Sequence, residues 1–372
     1  MDTARVRELL ATEGGLRKNA FEILGTISKL SNRGSTQAVA RELVIRTLAM
    51  QHELEPTFRH LLDHQVRAVG LLPYSRSEEW SALEDWMLVE AHRAPFEDML
   101  FHTLQLHIFR ILLSGKNVVL SATTSVGKSL VVDAVISAKK FNHVAIIVPT
   151  IALIDETRRR LTKSFATSHD IITHPTQKSD PTRPTIFVLT QERALARDDL
   201  DKVEFFVIDE FYKLDLRHED QDRAVDLNLC FNKLARQGSQ FYLIGPNINA
   251  VDGLASEYEH FFIPSEFATV AFDLIPFGLP KDGDERKNKL IELCREIDDP
   301  TLVYCQSPPK VAEAAECLLQ AKVLPASAQT SAAVAWLERE YPEEWGLTRA
   351  LRHGIGIHHG NVPRAIQQYM VR

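Results

Sequence analysis

The residues with the most pointed chemistry are Ala122, Thr123, Thr124, Ser125, Val126, Gly127, Lys128 and Ser129. They stand between an apolar run, Asn117–Leu120, that reads as a strand and a segment, Ser129–Ile136, that reads as a helix. A loop in that setting turns successive backbone amides toward one point, and the positive end of the following helix adds to them, which suits a phosphate. Gly127 allows the tight bend. Lys128 is suited to neutralise β- and γ-phosphate charge, and the Ser129 hydroxyl to ligate Mg²⁺. Ala122 stands where such loops usually begin with Gly, but the strand–loop–helix setting keeps the pattern specific. ATP and Mg²⁺ are the cofactors expected.

A second constellation follows at Phe205-Phe-Val-Ile208, an apolar strand that ends in Asp209-Glu210. Carboxylates at the end of a buried strand are costly unless they serve a cation or a reaction. Beside a phosphate loop, Asp209 would hold the metal through water and Glu210 would orient the attacking water. Elsewhere an Asp-Glu pair is more often a solvated turn; its position here gives it weight.

The elements that must position these groups are legible in outline. Residues 1–95 contain no convincing strand; Val6–Leu10, Ala38–Leu54 and Glu79–Ala91 place apolar residues at helical spacing, with breaks at Gly14-Gly15, Asn32–Gly34 and Leu72-Pro73. A small all-helical domain is expected, whose face could serve a protein partner or simply be core. From residue 96 short runs rich in Val and Ile alternate with helical stretches: Asn117–Leu120, Val144–Val148, Thr185–Leu189, Phe205–Ile208 and Gln240–Ile244. Strands apolar on both faces indicate an α/β fold with a parallel sheet covered by helices. A Pro-rich, charged stretch then places a boundary near residue 275. Beyond it, a helix at Asn288–Ile297, a strand at Thr301–Cys305 and a helix at Lys310–Leu319 restart the alternation, so 276–372 reads as the start of a second sheet domain.

Taken in order, Gln105, Ser121–Ser129, Val148–Leu153, Val188–Glu192 and Val207–Phe211 resemble the Q motif and motifs I, Ia, Ib and II of superfamily 2 DEAD/DEAH-box helicases. Leu302–Ser307 looks like motif IV, and Gly356-Ile-His-His-Gly360 is similar to an element of the repair and exosome branch. The helical N-terminal part and Asp209-Glu-Phe-Tyr212 also resemble bacterial anti-phage defence helicases of the Hachiman type. The resemblance covers roughly residues 97–372. It implies a RecA-like P-loop domain, the start of a second RecA-like domain, and an ATP-dependent helicase or translocase acting on single-stranded or partly duplex nucleic acid. Gln105 would then read adenine, and Pro149, Thr150 and Thr190 would meet the backbone of one strand, with Gln306 and His359 contributing from the second domain. The plainer readings are a surface glutamine at 105, a strand stop and helix cap at Pro149-Thr150, and core-edge polar residues at 306 and 359. No other histidine is assigned a role. An ATP-gated partner-binding switch without unwinding is the alternative.

Two departures stand out. Tyr242-Leu-Ile-Gly-Pro-Asn247 occupies the place of the usual Ser-Ala-Thr of motif III. The residues also stop at Arg372, before any motif V or VI, so the arginine finger of the family is not among them, and these residues are expected to bind nucleotide but hydrolyse it poorly.

Composition adds bounds. At 372 residues, 45% hydrophobic and 25% charged, the chain is an ordinary globular one with room for two or three domains. A net charge of −7 argues against a passive nucleic-acid-coating protein but not against a motor that grips phosphates in one cleft. The four cysteines show no zinc spacing, so buried thiols in a reducing compartment, and hence a cytoplasmic protein away from membranes, are expected.

Overall fold

The computed structural model describes residues 1–75, 82–96, 98–123, 126–217, 221–246, 248, 250–251, 253–254, 258–280, 283–342 and 345–370. Thr124, Ser125 and Asn247, the start of the expected helix at 79–81, and Lys281 therefore lie outside the described residues. The chain divides into two compact units, residues 1–272 and 273–372.

The first unit opens with helices α1 (Thr3–Leu10), α2 (Gly15–Ser31), α3 (Gln37–Ala49), α4 (Pro56–Ala68) and α5 (Leu83–Ala91). The periodic apolar residues of α1 to α4, among them Val6, Leu16, Ile23, Ile27, Leu43, Val44 and Val66, close one core. Gly14 begins α2 with a left-handed φ of 69°, and a Cβ on Gly15 would stand 2.1 Å from the Leu9 carbonyl oxygen. That double glycine lets α1 and α2 turn back on each other, as the sequence break foretold.

An α/β region of RecA-like fold follows: α6 (Thr103–Leu113), β1 (Asn117–Ala122), α7 (Lys128–Lys139), β2 (His143–Ile147), α8 (Ile151–Phe165), β3 (Asp170–Ile172), β4 (Thr185–Leu189), α9 (Gln191–Leu195), β5 (Phe205–Asp209), α10 (Gln221–Ala235), β6 (Gln240–Gly245) and β7 (His260–Ser265). The sheet is parallel throughout, in the order β3-β4-β2-β5-β6-β1-β7. Alternation of side chains splits each strand between two cores. Phe205 and Val207 face the one that contains α6 and α7, while Phe206 and Ile208 face the one that contains α10. The five strands expected from the sequence are all present. Register places Ser121 opposite Gly245 and Asp209 opposite Ile244, so the carboxyl ends of β1, β5 and β6 come together.

The edge strands β3 and β7 were not foreseen. β3 has three residues, and β7 contains Pro264, which only an edge strand tolerates because it cannot donate to a ladder. Phe267, just beyond β7, packs into the core of the N-terminal helices.

The second unit holds α11 (Asp284–Glu296), α12 (Pro308–Gln320), α13 (Ser331–Glu340), α14 (Gly346–Leu351) and α15 (Arg364–Met370), around Leu337, Leu347, Leu351 and Ile366. The expected helices form, α12 starting with proline where its missing N–H costs nothing. The expected strand at Thr301–Cys305 does not. No strand occurs among the described residues of this unit, so the segment has no neighbour with which to form a ladder, and Leu302 and Tyr304 are 93% and 89% exposed. The cysteines also depart from expectation: all four are free thiols, but only Cys230 is buried. Among the described residues, no helix is long and apolar enough to cross a membrane.

Replacing Gly15 with alanine is expected to destabilise the first unit by about 1–3 kcal/mol, because the new methyl meets fixed backbone rather than a side chain that can move. A thermal melt checks this; an unchanged melting temperature would show that α1 and α2 have slack at their junction.

Candidate nucleotide site

The phosphate loop joins β1 to α7, and its described residues are Ala122, Thr123, Val126, Gly127, Lys128 and Ser129. Ala122 and Val126 are buried, so the loop is anchored at both ends by apolar contacts. Gly127 caps α7 with φ 65° and ψ 43°, a left-handed conformation that favours glycine. A Cβ there would also stand 2.5 Å from Gln105 Nε2. The Thr123 hydroxyl reaches the Phe267 carbonyl at 3.5 Å.

Behind the loop lies α6. The Gln105 amide donates to the carbonyls of Val126 and Gly127, each at 3.1 Å, and its Oε1 accepts the His102 amide at 3.1 Å. Gln105 is buried, not a surface residue. Its side chain grips the loop in this arrangement, so reading adenine would require at least one of these bonds to be exchanged. His102 completes the grip. Its Nε2 lies 2.8 Å from the Val126 carbonyl, and its Nδ1 accepts the Gln105 amide at 3.3 Å. A carbonyl only accepts, so the proton sits on Nε2 and Nδ1 is bare; the ring is neutral. Burial agrees, holding this imidazole down at about 4 against the favourable bond to Val126. His102 was invisible in the sequence because imidazole is not among the usual capping side chains. The one trace was a glutamine three residues on, as in a capping box.

Lys128 donates to the Gly245 carbonyl at 3.1 Å. Burial pulls its pKa below the usual lysine range, and Asp209 and Glu210 oppose that pull. Asp209, at the end of β5, has the converse problem: burial raises its pKa, against the hydrogen bond from the Glu210 amide at 3.0 Å and the attraction of Lys128. Glu210 adopts a left-handed φ of 56°, pairs with Lys213 and accepts from the Tyr212 hydroxyl at 3.4 Å. The loop lysine, the strand-end aspartate and the β6 carbonyl thus converge. Residues of these types suit a triphosphate with Mg²⁺: a cation at a helix N-terminus for phosphate, and one carboxylate with a serine hydroxyl for a metal that keeps most of its waters.

The segment standing in for motif III packs tightly against these groups. A Cβ on Gly245 would meet the Phe211 ring at 2.7 and 2.9 Å. The Ser121 hydroxyl contacts the carbonyls of Pro246 and Ile248 at 3.0 and 2.8 Å and accepts the Ile248 amide at 2.5 Å. Phe211, Gly245 and Ser121 therefore tie the strand ends of β5, β6 and β1 together.

The residues expected to face nucleic acid are placed less uniformly. Thr150 caps α8, accepting the Leu153 amide at 3.3 Å, so the plain capping role is realised whatever else it does. The Pro149 carbonyl accepts from Arg223 at 2.8 Å, and Arg223 also pairs with Glu192 at 2.8 Å. Thr190 is buried at the start of α9. Beside Pro149 and Arg223 opens a cavity of about 420 Å³ that is also lined by Gln191, Asp209, Lys213 and Arg217. Nothing in the sequence singled out Arg223, since no spacing ties it to another motif. Gln306 is exposed and His359 half-buried, its Nδ1 3.3 Å from the Asn361 amide; both belong to the second unit.

Comparison with known proteins accounts for most of the first unit. Residues 1–85 match the Anti-bacteriophage protein B N-terminal domain, and residues 102–244 match the DEAD/DEAH box helicase family. Anti-bacteriophage protein B of Escherichia coli (strain K12) is 38% identical over an alignment of 363 residues that covers 94% of this chain and 49% of that protein. The chain thus spans about half the length of this curated relative. Crystal structures of the DUF1998 helicase MrfA bound to DNA, and bound to DNA and AMPPNP, share 14% and 15% identity, each with a TM-score of 0.45 and 68% of this chain covered. The matched portions make up 40% and 42% of the MrfA chains.

The raised Asp209 pKa carries a pH signature. A carboxyl whose folded pKa lies above its unfolded value binds more protons when folded, so its contribution to stability falls as pH rises. Asp209→Asn should therefore raise the melting temperature of the nucleotide-free chain near neutral pH. The advantage should shrink as pH falls through the raised value, where the aspartate is itself neutral. A difference that grows toward acid pH would contradict the burial argument.

Proposed function

We propose that this chain, which carries a DEAD/DEAH box helicase domain behind an Anti-bacteriophage protein B N-terminal domain, is the motor part of an ATP-dependent nucleic-acid helicase or translocase that serves bacteriophage defence. The observation that carries the reading is the convergence of Lys128 and Asp209, inside the matched helicase domain, with the Gly245 carbonyl one residue beyond its end.

In this reading the loop amides and Lys128 hold the phosphates. Ser129 and Asp209 hold Mg²⁺, which supplies charge neutralisation on the phosphates when bound. Glu210 orients water and takes its proton; to do so it must give up Lys213, whose pairing with it marks a resting arrangement. Lys128 must likewise leave the Gly245 carbonyl to reach phosphate. That departure frees the strand end that Phe211 and Ser121 grip, a route by which nucleotide can be felt beyond the loop. Gln105 gives adenine recognition by exchanging a loop bond for a base contact. Pro149, Thr150 and the neighbouring Arg223 are assigned to the side of the sheet offered to a nucleic-acid strand, Thr190, whose side chain is buried, through its backbone alone, and Gln306 and His359 are assigned the matching role in residues 276–372. Residues 276–372 are read as belonging to a second RecA-like domain. The anti-phage role follows the relative's name, and the whole-protein activity, its partners and a cytoplasmic location are part of the same proposal.

The test is ATP turnover by the longest natural chain containing these residues, with and without single-stranded DNA or RNA, together with strand displacement. Stimulation with displacement is expected. Lys128→Ala should cut turnover by at least about 100-fold, since it removes charge stabilisation of the transferring group. Turnover indifferent to every nucleic acid would overturn the motor reading, and ATP-dependent partner binding without displacement would establish the switch instead.

A further inference from the structure

The grip on the phosphate loop begins in the N-terminal helices. Phe267 is buried in the core of α1 to α4, and the Arg41 guanidinium lies 3.9 Å from its ring centroid. Arg41 is itself buried, on α3, and donates to the Val69 carbonyl at 3.0 Å. The Phe267 ring stacks on His102, with centroids 4.4 Å apart and planes 19° from parallel. The next residue, Thr103, is tied to the Gly70 carbonyl at 3.0 Å; Gly70, with φ 81°, has no room for a Cβ beside the Thr103 hydroxyl. His102 then reaches the Val126 carbonyl, as described above.

The geometry of the peptide unit says what that contact does. No cis peptide occurs among the described residues, and in a planar trans unit the carbonyl oxygen and the following N–H point in opposite directions. Holding the Val126 carbonyl on His102 and Gln105 turns the Gly127 N–H away from α6. Holding the Gly127 carbonyl on Gln105 does the same for the Lys128 N–H. These are two consecutive amides of the anion cradle.

We propose that His102 is a positioning residue for the phosphate loop, seated by Phe267 and Arg41, and that by this route the N-terminal helices set how tightly the loop holds a triphosphate. The inference rests on the reading of Ala122–Ser129 as a nucleotide site. It assigns to residues 1–71 a task inside the motor in addition to any partner they bind. His102 acts on backbone amides rather than on a base, so its effect is blind to the nucleobase. That separates it from Gln105 in its base-reading role.

The test is calorimetric binding of ATP, GTP and inorganic tripolyphosphate to the whole chain and to His102→Asn and Phe267→Leu. Asparagine keeps an acceptor that caps α6 but cannot reach Val126, so the fold should persist while the loop contact is lost. Affinity for all three anions is expected to fall by the same factor, about five-fold, as for loss of one net hydrogen bond. Phe267→Leu, which keeps an apolar side chain in the core, should shift all three the same way by about two-fold or more. It also serves as the measurement if His102→Asn does not fold. Unchanged affinities, or a loss confined to ATP, would overturn the inference. A wild-type chain that binds none of the three would remove the nucleotide reading as well, so the two failures are told apart by the wild-type protein alone.

Discussion

A strand end that is to hold several phosphate charges must turn its amides forward and keep its carbonyls back, and the carbonyls then need partners of their own in a buried place. Here the partners are two side chains at the start of α6, Gln105 and His102, on the carbonyls of Val126 and Gly127. Much of the remaining arrangement supports that contact. The capping of α6 is made by the same two residues, each bonding the other's backbone amide. The stack on Phe267 fixes the imidazole plane, and the left-handed Gly127 is the residue that can pass beneath Gln105 without collision.

The groups facing the loop are held in tension by burial. Lys128 and Asp209 are each pushed toward neutrality by desolvation and each partly restored by the other's charge. Such a pair is poorly satisfied alone and gains when further charge arrives, an anion for the lysine and a cation for the aspartate. Lys128 on the Gly245 carbonyl, and Lys213 on Glu210, are stopgap pairings of this kind. The substitution of Gly-Pro for the usual motif III is explained in part by contact: Phe211 occupies the space that any larger residue at 245 would need.

How much of this was legible in the sequence depended on whether a pattern repeats or a contact is made only in three dimensions. Buried central strands such as Thr185–Leu189 announce themselves because both faces are apolar over five residues. The edge strand Asp170–Ile172 is too short for periodicity to register, and His260–Ser265 hides behind its proline. Thr301–Cys305 shows the opposite failure: the strand pattern is there, but a strand exists only with a neighbour to bond. At the candidate site, Ala122–Ser129 and Asp209-Glu210 stood out in the sequence because the pattern that marks them is one of local spacing. His102 and Arg223 were not, because their partners Val126 and Pro149 lie 24 and 74 residues away.

The helicase resemblance, drawn from motif order, and the anti-phage resemblance, drawn from the helical N-terminal part and Asp209-Glu-Phe-Tyr212, agree with the family matches, which divide the first unit between an N-terminal helical part and the helicase domain. The contacts through Phe267 cross that division, joining the core of the N-terminal helices to His102. In the proposed function, triphosphate binds at the end of β1 and draws Lys128 off β6. Hydrogen exchange of backbone amides with and without ATP and Mg²⁺ addresses it most directly. Slower exchange is expected across Val126–Ser129, together with changed exchange at Ile248, whose amide is held by Ser121 beside the carbonyl that Lys128 leaves. Protection elsewhere with both segments unaltered would contradict it.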